Sequence, residues 1–302
     1  ILLFPVMINF IQHVLHLKND PVTGIALYHT LYNLLGVIVF LPLIGYFTAL
    51  ITRIIRDRQP TITRVLHTLK PDVPEAGIAA VKTEIRHLVV EVIRYHLRLL
   101  QMSRKEPFQT FLKREDSLLA ADISLHEHYQ RIKLLEAEIY TFASGMQMHE
   151  LSDAEARELN KLLHACRNAV ASAKILKDVQ HNLLEIEDSG NPEIEKLLQH
   201  FKDKWSAAHK DFISILDEKD VSATIRSIHD LTNRNKQDDI AFTRLITASI
   251  ASKKLEQAEI PAQITINRAF NMSSRQMIHA LRDLLLTEPE VEIVEKLSET
   301  AT

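Results

Sequence analysis

A long apolar run from Ile25 to Ile55 constrains this chain more than any other feature. It is about the length a helix needs to cross a bilayer at a rise of ~1.5 Å per residue. Yet it carries His29-Thr30-Leu31-Tyr32-Asn33, and polar groups inside a bilayer are costly unless they face protein or water. Everything after the run reads as helical and charged. Two solvents are expected for one chain.

The flanks orient the run. Arg53, Arg56, Arg58, Arg64 and Lys70 at and beyond its end stand against one acid, Asp57, which places the C-terminal side in the cytoplasm. On its other side, Lys18 to Gly24 is polar, with Pro21 and Gly24, and reads as a turn. Ile1 to Leu17 is apolar but short, with no basic region before it, so it reads as the tail of an earlier membrane helix rather than a signal peptide. Residues 1–56 are thus expected to be a membrane segment, and the sequence the C-terminal piece of a multi-pass protein of the cell (plasma or inner) membrane. Residues 57–75, with Pro60, Pro71 and Pro74, read as a semi-rigid linker. A net charge of -3 carries no basic excess for nucleic acid. The single cysteine, Cys166, permits no internal disulfide and suits a reducing compartment.

From residue 76 the pattern is all-α. Ile78, Val81, Ile85, Leu88, Val92, Tyr95, Leu99 and Met102 alternate by three and four, the stripe of a bundled helix. A second helix is expected from Phe111 to Phe142, ended by Gly145. A third opens at Ser152, with Glu155 three residues on as a capping box, and stops at Ser189-Gly190-Asn191-Pro192. Three more follow, near 192–216, 221–252 and 263–286, the first burying Leu197, Phe201, Trp205, Phe212 and Ile215. Two three-helix units, 76–189 and 192–287, and a tail over 288–302 are expected.

Few residues suggest chemistry. His29 and Asn33, one turn apart, share a face and mark either a substrate pathway or contacts to neighbouring helices, the second aided by close packing at Gly36 and Gly45. Pro42 is placed to kink that helix. Lys174, Asp178, His181 and Glu185 form a polar strip at spacings of four, three and four. Its plain reading is a solvated face; its sharper one makes Asp178 and Glu185 metal ligands. Asp122 occupies an apolar stripe position and needs a partner. His126-Glu127-His128 reads as surface. There is no Gly-rich phosphate loop, no His-Glu-x-x-His, no cysteine pair and no Gly-x-Ser-x-Gly. Nothing nominates a nucleophile, so no enzyme is expected.

Ala26-Leu27-Tyr28-His29-Thr30-Leu31-Tyr32-Asn33-Leu34-Leu35-Gly36, running on to Phe40-Leu41-Pro42, resembles the end of the second repeat in bacterial sodium/phosphate cotransporters. The family pattern there is Ala-x-x-His-Thr-Leu-Phe-Asn-x-x-Gly leading to Phe-Leu-Pro, and Tyr32 replaces its Phe. Many of those proteins carry a cytoplasmic PhoU-like domain of two three-helix units. Lys174 to Glu185 is similar to a worn PhoU motif, Glu-Arg-x-Gly-Asp-x-x-x-Asn-x-x-Glu, matched at Asp178, Asn182 and Glu185. Lys174 and Lys177 replace its leading acid and its glycine, which puts cations where a metal would sit. Asn267-Arg268-Ala269-Phe270 and His279 to Leu286 are similar to the final helix of such domains. The resemblance implies sodium and phosphate as transported ligands of the full-length protein, with no resident cofactor. It implies the upstream transport helices, the membrane, and a regulatory partner or second copy as partners. The family's Gln-Ser-Ser motifs do not occur in this chain, so the transport core would lie upstream. The alternative is a membrane-anchored helical regulatory module of phosphate homeostasis without transport.

Overall fold

The structure is a computed structural model that describes residues 9, 21–47, 50, 62–115, 123–253 and 255–300. It is all-α, with no strand among the described residues. The chain divides into two compact units, Ile1–Pro60 and Thr61–Thr302. Ile1 to Leu17 apart from Asn9, Asp122, Leu118, and the arginines at 53, 56 and 58 lie outside the described residues.

In the first unit, helix α1 spans Pro21–Phe40. It therefore begins inside the expected turn, because proline's fixed φ suits a first helical position. The apolar run does not continue as one helix: Leu41–Leu43 is a turn, and helix resumes at Ile44. Pro42 has no N–H to give Ile38, which breaks the ladder at that point. Among the described residues, no helix is long and apolar enough to cross a membrane. Val37, Ile38, Val39, Phe40 and Leu41 are all exposed.

The second unit is built around α2, Pro74–Leu99. Its middle is buried on every side: Val89, Val90, Ile93 and Leu97 are as enclosed as Ile85, Leu88, Val92 and Tyr95 of the expected stripe. An all-round apolar helix sits at the centre of a bundle. The second expected helix is two, α3 (Phe108–Arg114) and α4 (Leu125–Gln147), the latter started by Ser124, whose Oγ accepts the Glu127 N–H. α4 passes through Gly145 rather than ending there. Gly77 makes room for a neighbouring side chain: a Cβ there would stand 2.7 Å from the Met146 Cε. Gly190 has a left-handed backbone, φ 63°, which glycine adopts without a steric cost.

α5 (Asp153–Asp178) opens with the expected capping box, the Ser152 Oγ accepting the Glu155 N–H while the Glu155 carboxylate accepts the Ser152 N–H. It stops at Val179, and α6 (Gln180–Glu187) carries Leu183 and Ile186 into the core. Next come α7 (Pro192–Asp217), α8 (Val221–Ala251) and α9 (Ile260–Leu285). Asn191 and Asp220 cap the first two with side-chain oxygens. Phe201, Trp205, Phe212 and Phe270 close the core between them, each such burial worth roughly 1.5–3 kcal/mol.

Gly190 does not separate two compact halves. The most extensive packing in the unit joins α5 to α9, across the expected division. Small residues make that approach possible: Ala165, Ala169, Ser172 and Ala173 on one helix, Ala269, Ser273 and Ala280 on the other. Ser172 Oγ donates to the Ser273 carbonyl at 2.7 Å, and Ser273 Oγ returns a bond to the Ser172 carbonyl at 2.9 Å.

Two further expectations change. Part of the 57–75 linker is docked, with Ile62, Thr63 and Leu66 buried and a short 3-10 turn at Leu66–Thr68. The 288–302 tail is largely helix α10, Glu288–Thr300. It buries Val294, and Glu295 accepts a hydrogen bond from Arg282 at 2.9 Å.

Candidate functional site

His29 and Asn33 lie one turn apart on α1, both exposed, with no hydrogen bond to a described residue. Beside them the Tyr28 and Tyr32 rings stack at 6.3 Å, and Thr30 Oγ1 donates to the Ala26 carbonyl. The structure brings this pair to no other charged group among the described residues.

The polar strip is not continuous. Asp178 is the last residue of α5, while His181 and Glu185 ride on α6 beyond the break at Val179. The Asp178 carboxylate accepts Lys174 Nζ at 2.6 Å, with Lys177 Nζ at 3.8 Å, and its side chain is 47% exposed. Glu185 and His181 are exposed. Among the described residues, no group of three histidine, cysteine or acidic side chains is arranged to hold a metal ion. The surface reading of His126-Glu127-His128 fails for His128, which is fully buried because successive side chains on a helix diverge by about a quarter turn.

That histidine belongs to a buried polar chain. Glu84, His87 and Glu91, at spacings of three and four on α2, carry it inward. Glu84 Oε1 accepts the backbone N–H of Val65 at 2.5 Å and of Leu66 at 3.4 Å. Its Oε2 lies 3.3 Å from His87 Nδ1. Burial pushes the Glu84 carboxyl up, but His87 and the two backbone donors outweigh it and hold it below the ordinary carboxylate value. His87 Nε2 stands 3.8 Å from Glu91 Oε1, and Glu91 Oε2 is 3.1 Å from His128 Nε2. The far side fixes the tautomer. Arg98 Nη1 lies 3.1 Å from His128 Nδ1, and a guanidinium only donates, so His128 accepts at Nδ1 and donates from Nε2 to Glu91. Burial holds the His128 pKa below its usual value, against the pull of Glu91. Arg98 also donates to the Ile123 carbonyl at 2.5 Å, and Arg94 to that of Leu112 at 3.3 Å. The chain thus pins the segments before α2 and α4 to the central helix.

A second buried pair lies between α2 and α7. His209 Nδ1 donates to the Trp205 carbonyl at 2.9 Å, which leaves its Nε2 to accept from His96 Nδ1 at 3.3 Å. His96 Nε2 then carries a lone pair with no donor. Burial pulls both rings down, His96 well below its usual value and His209 to about 4.

Next to that pair a cleft of 260 Å³ opens between α7, α8 and α9. Its apolar wall is Trp205 stacked on Phe270, centroids 4.6 Å apart, with Leu231 and Ala208 alongside. Lys204 supplies its cation. Nζ donates to Asn271 Oδ1 at 2.7 Å and lies 4.0 Å from Asp238 Oδ2, with the side chain only 10% exposed. Burial lowers the Lys204 pKa against the opposing charges of Asp238 and Asp239. Trp205 was legible as a core residue of α7, but nothing in its spacing announced a cleft beside it.

Compared with protein-family models, with curated proteins and with solved structures, the chain matches none of them.

Proposed function

We propose that this chain is the C-terminal part of a sodium-dependent phosphate symporter, in which the Thr61–Thr302 unit is a cytoplasmic regulatory domain of PhoU-like character. The observation that carries the reading is the Ala26–Gly36 pattern standing on one helix, with His29 and Asn33 exposed on adjacent turns and an all-helical unit after it. On this reading the exposed apolar face of α1 meets lipid and the upstream transport helices, and His29 and Asn33 bond those helices. Sodium and phosphate are ligands of the complete protein. Lys174, paired with Asp178, supports a regulatory unit that works without a metal at that strip.

Uptake of labelled phosphate into vesicles holding the full-length protein tests this directly. An inward sodium gradient is expected to drive it. Absent uptake, or uptake indifferent to sodium, would overturn the assignment.

The second reading is a membrane-anchored helical module that signals phosphate status without transporting. The break at Leu41–Leu43 favours it, because it shortens the continuous helix to Pro21–Phe40. Sequence upstream of Ile1 discriminates: two Gln-Ser-Ser motifs in apolar segments favour transport, and one isolated anchor favours the module.

A further inference from the structure

One outward stripe of α9 is covered by α10 at its C-terminal end and open at its N-terminal end, and we propose that the open end, with the facing side of α8, binds an acidic amphipathic helix of a partner protein. Three observations converge on that occupant.

The first is what already covers the stripe. Ile264, Arg268, Met272, Arg275, His279 and Arg282 recur at four, four, three, four and three, so they share one face of α9. At its far end Glu295 of α10 accepts a hydrogen bond from Arg282 at 2.9 Å. There α10 packs along α8 and buries Val294, and His279 and Arg282 are half-buried. This helix is itself acidic, with Glu288, Glu290, Glu292, Glu295 and Glu299 against one base, Lys296. The chain thus lays one acidic amphipathic helix on this stripe already.

The second is what the rest of the stripe offers. A groove of 370 Å³ opens there between α8 and α9. Ile250, Ile264 and Met272 line it and are 40%, 42% and 44% exposed, so their apolar surface is within a partner's reach. Arg268 and Arg275 are exposed, and neither makes a hydrogen bond or ion pair among the described residues. The acid at the groove is Asp239, whose Oδ1 already accepts Asn267 Nδ2 at 2.8 Å and Asn271 Nδ2 at 2.6 Å. Two uncommitted cations therefore stand against one carboxylate that is already hydrogen-bonded.

The third is spacing. Arg268 and Arg275 are seven residues apart, two helical turns or about 10 Å along the axis. One small anion cannot bridge that distance. Two carboxylates a heptad apart on an adjoining helix can, while apolar residues between them meet Ile264 and Met272. A guanidinium suits a carboxylate because its fork of donors matches two oxygens. The apolar contacts line a groove, which a helix enters and a flat bilayer surface does not.

The probe is a fluorescent three-heptad peptide with leucine at its a and d positions and glutamate at e and g. Titrated with the purified chain, its anisotropy should rise saturably, and the same peptide with lysine at e and g should not respond. Arg268→Glu and Arg275→Glu should each weaken binding about 5-fold or more, and Met272→Ser about 3-fold. Arg244→Glu makes the same change of charge on an exposed part of α8 outside the groove lining, and should leave affinity unchanged. All four positions are exposed, so these variants should fold. The proposal is overturned by no saturable change, by equal binding of the lysine peptide, or by unchanged affinity in Arg268→Glu, Arg275→Glu or Met272→Ser. An equal loss in Arg244→Glu overturns it too, as would phosphatidylserine vesicles displacing the peptide where phosphatidylcholine vesicles do not, since the face would then be one for anionic membrane.

Discussion

His96 Nδ1–H donates to His209 Nε2 across 3.3 Å, so two imidazoles from helices far apart in sequence form one buried unit that has no room for an extra charge. Its neighbours reinforce that limit, since His209 already gives its one N–H, on Nδ1, to the Trp205 carbonyl. The pair ties the centre of α2 to α7 and makes the packing there sensitive to acid.

Stability should therefore fall as pH drops from about 6.5 toward about 4. In the unfolded chain these histidines take up protons near pH 6.5, whereas burial holds His209 down to about 4 and His96 well below its usual value. The native state binds fewer protons in that window, so the contribution is complete above it and lost through it. His209 alone accounts for a loss on the order of 3 kcal/mol. Urea unfolding at stepped pH measures it. Glu84, whose folded pKa is lowered from 4.5, adds its own loss only at more acid pH, so a flat profile between 6.5 and 5 would contradict the histidine account.

Ser172→Ala should cost about 1 kcal/mol, one buried hydrogen bond between α5 and α9. Ser172→Val should cost a further 1–3 kcal/mol or so, because an added methyl forces the two helices apart at a contact built from small side chains. The urea midpoint should shift in that order with an unchanged slope. Equal costs would mean that the interface has slack.

Glu84→Ala should release residues 62–69 from α2. The Val65 and Leu66 amides lose their acceptor, at roughly 1–3 kcal/mol. Amide hydrogen exchange in that segment should accelerate while the middle of α2 stays protected. Unchanged exchange at 65 and 66 would show that burial of Ile62 and Leu66 suffices alone.

Pro42→Ala should join α1 across Leu41–Leu43, because it restores an N–H for the Ile38 carbonyl. Relief of the proline break is worth about 3 kcal/mol of local helix stability. Backbone chemical shifts over 41–44 should move to helical values; persistence of the turn would place its cause elsewhere.

How much of this was readable from the residues differs sharply along the chain. The start of α5 was, because Ser152 and Glu155 each provide what the other's backbone lacks. The buried faces of α2 and α7 were, through their three-and-four spacing. The polar ladder of α2 was hidden by the same rule: Glu84, His87 and Glu91 repeat like a solvated face, and only the crowd of Val89, Val90, Ile93 and Leu97 between them leaves no side for water. Helix α10 carried a signal that went unused, with Pro289 near its start and Glu288 and Glu290 in its first turn. His96 with His209, and Lys204 with Asn271, join residues distant along the chain, and no local pattern encodes such meetings.

The clamp of Glu84 on Val65 and Leu66 has a mechanical side. Whatever precedes Thr61 is covalently joined to a segment that is bolted, through one carboxylate, to the axle of the bundle. A pull on that segment is not dissipated in slack; it loads the amide–carboxylate contacts first and then the early turns of α2, where His87 and Glu91 continue toward His128. Residues 62–69 are therefore geared to the core of their own bundle like a key in a shaft.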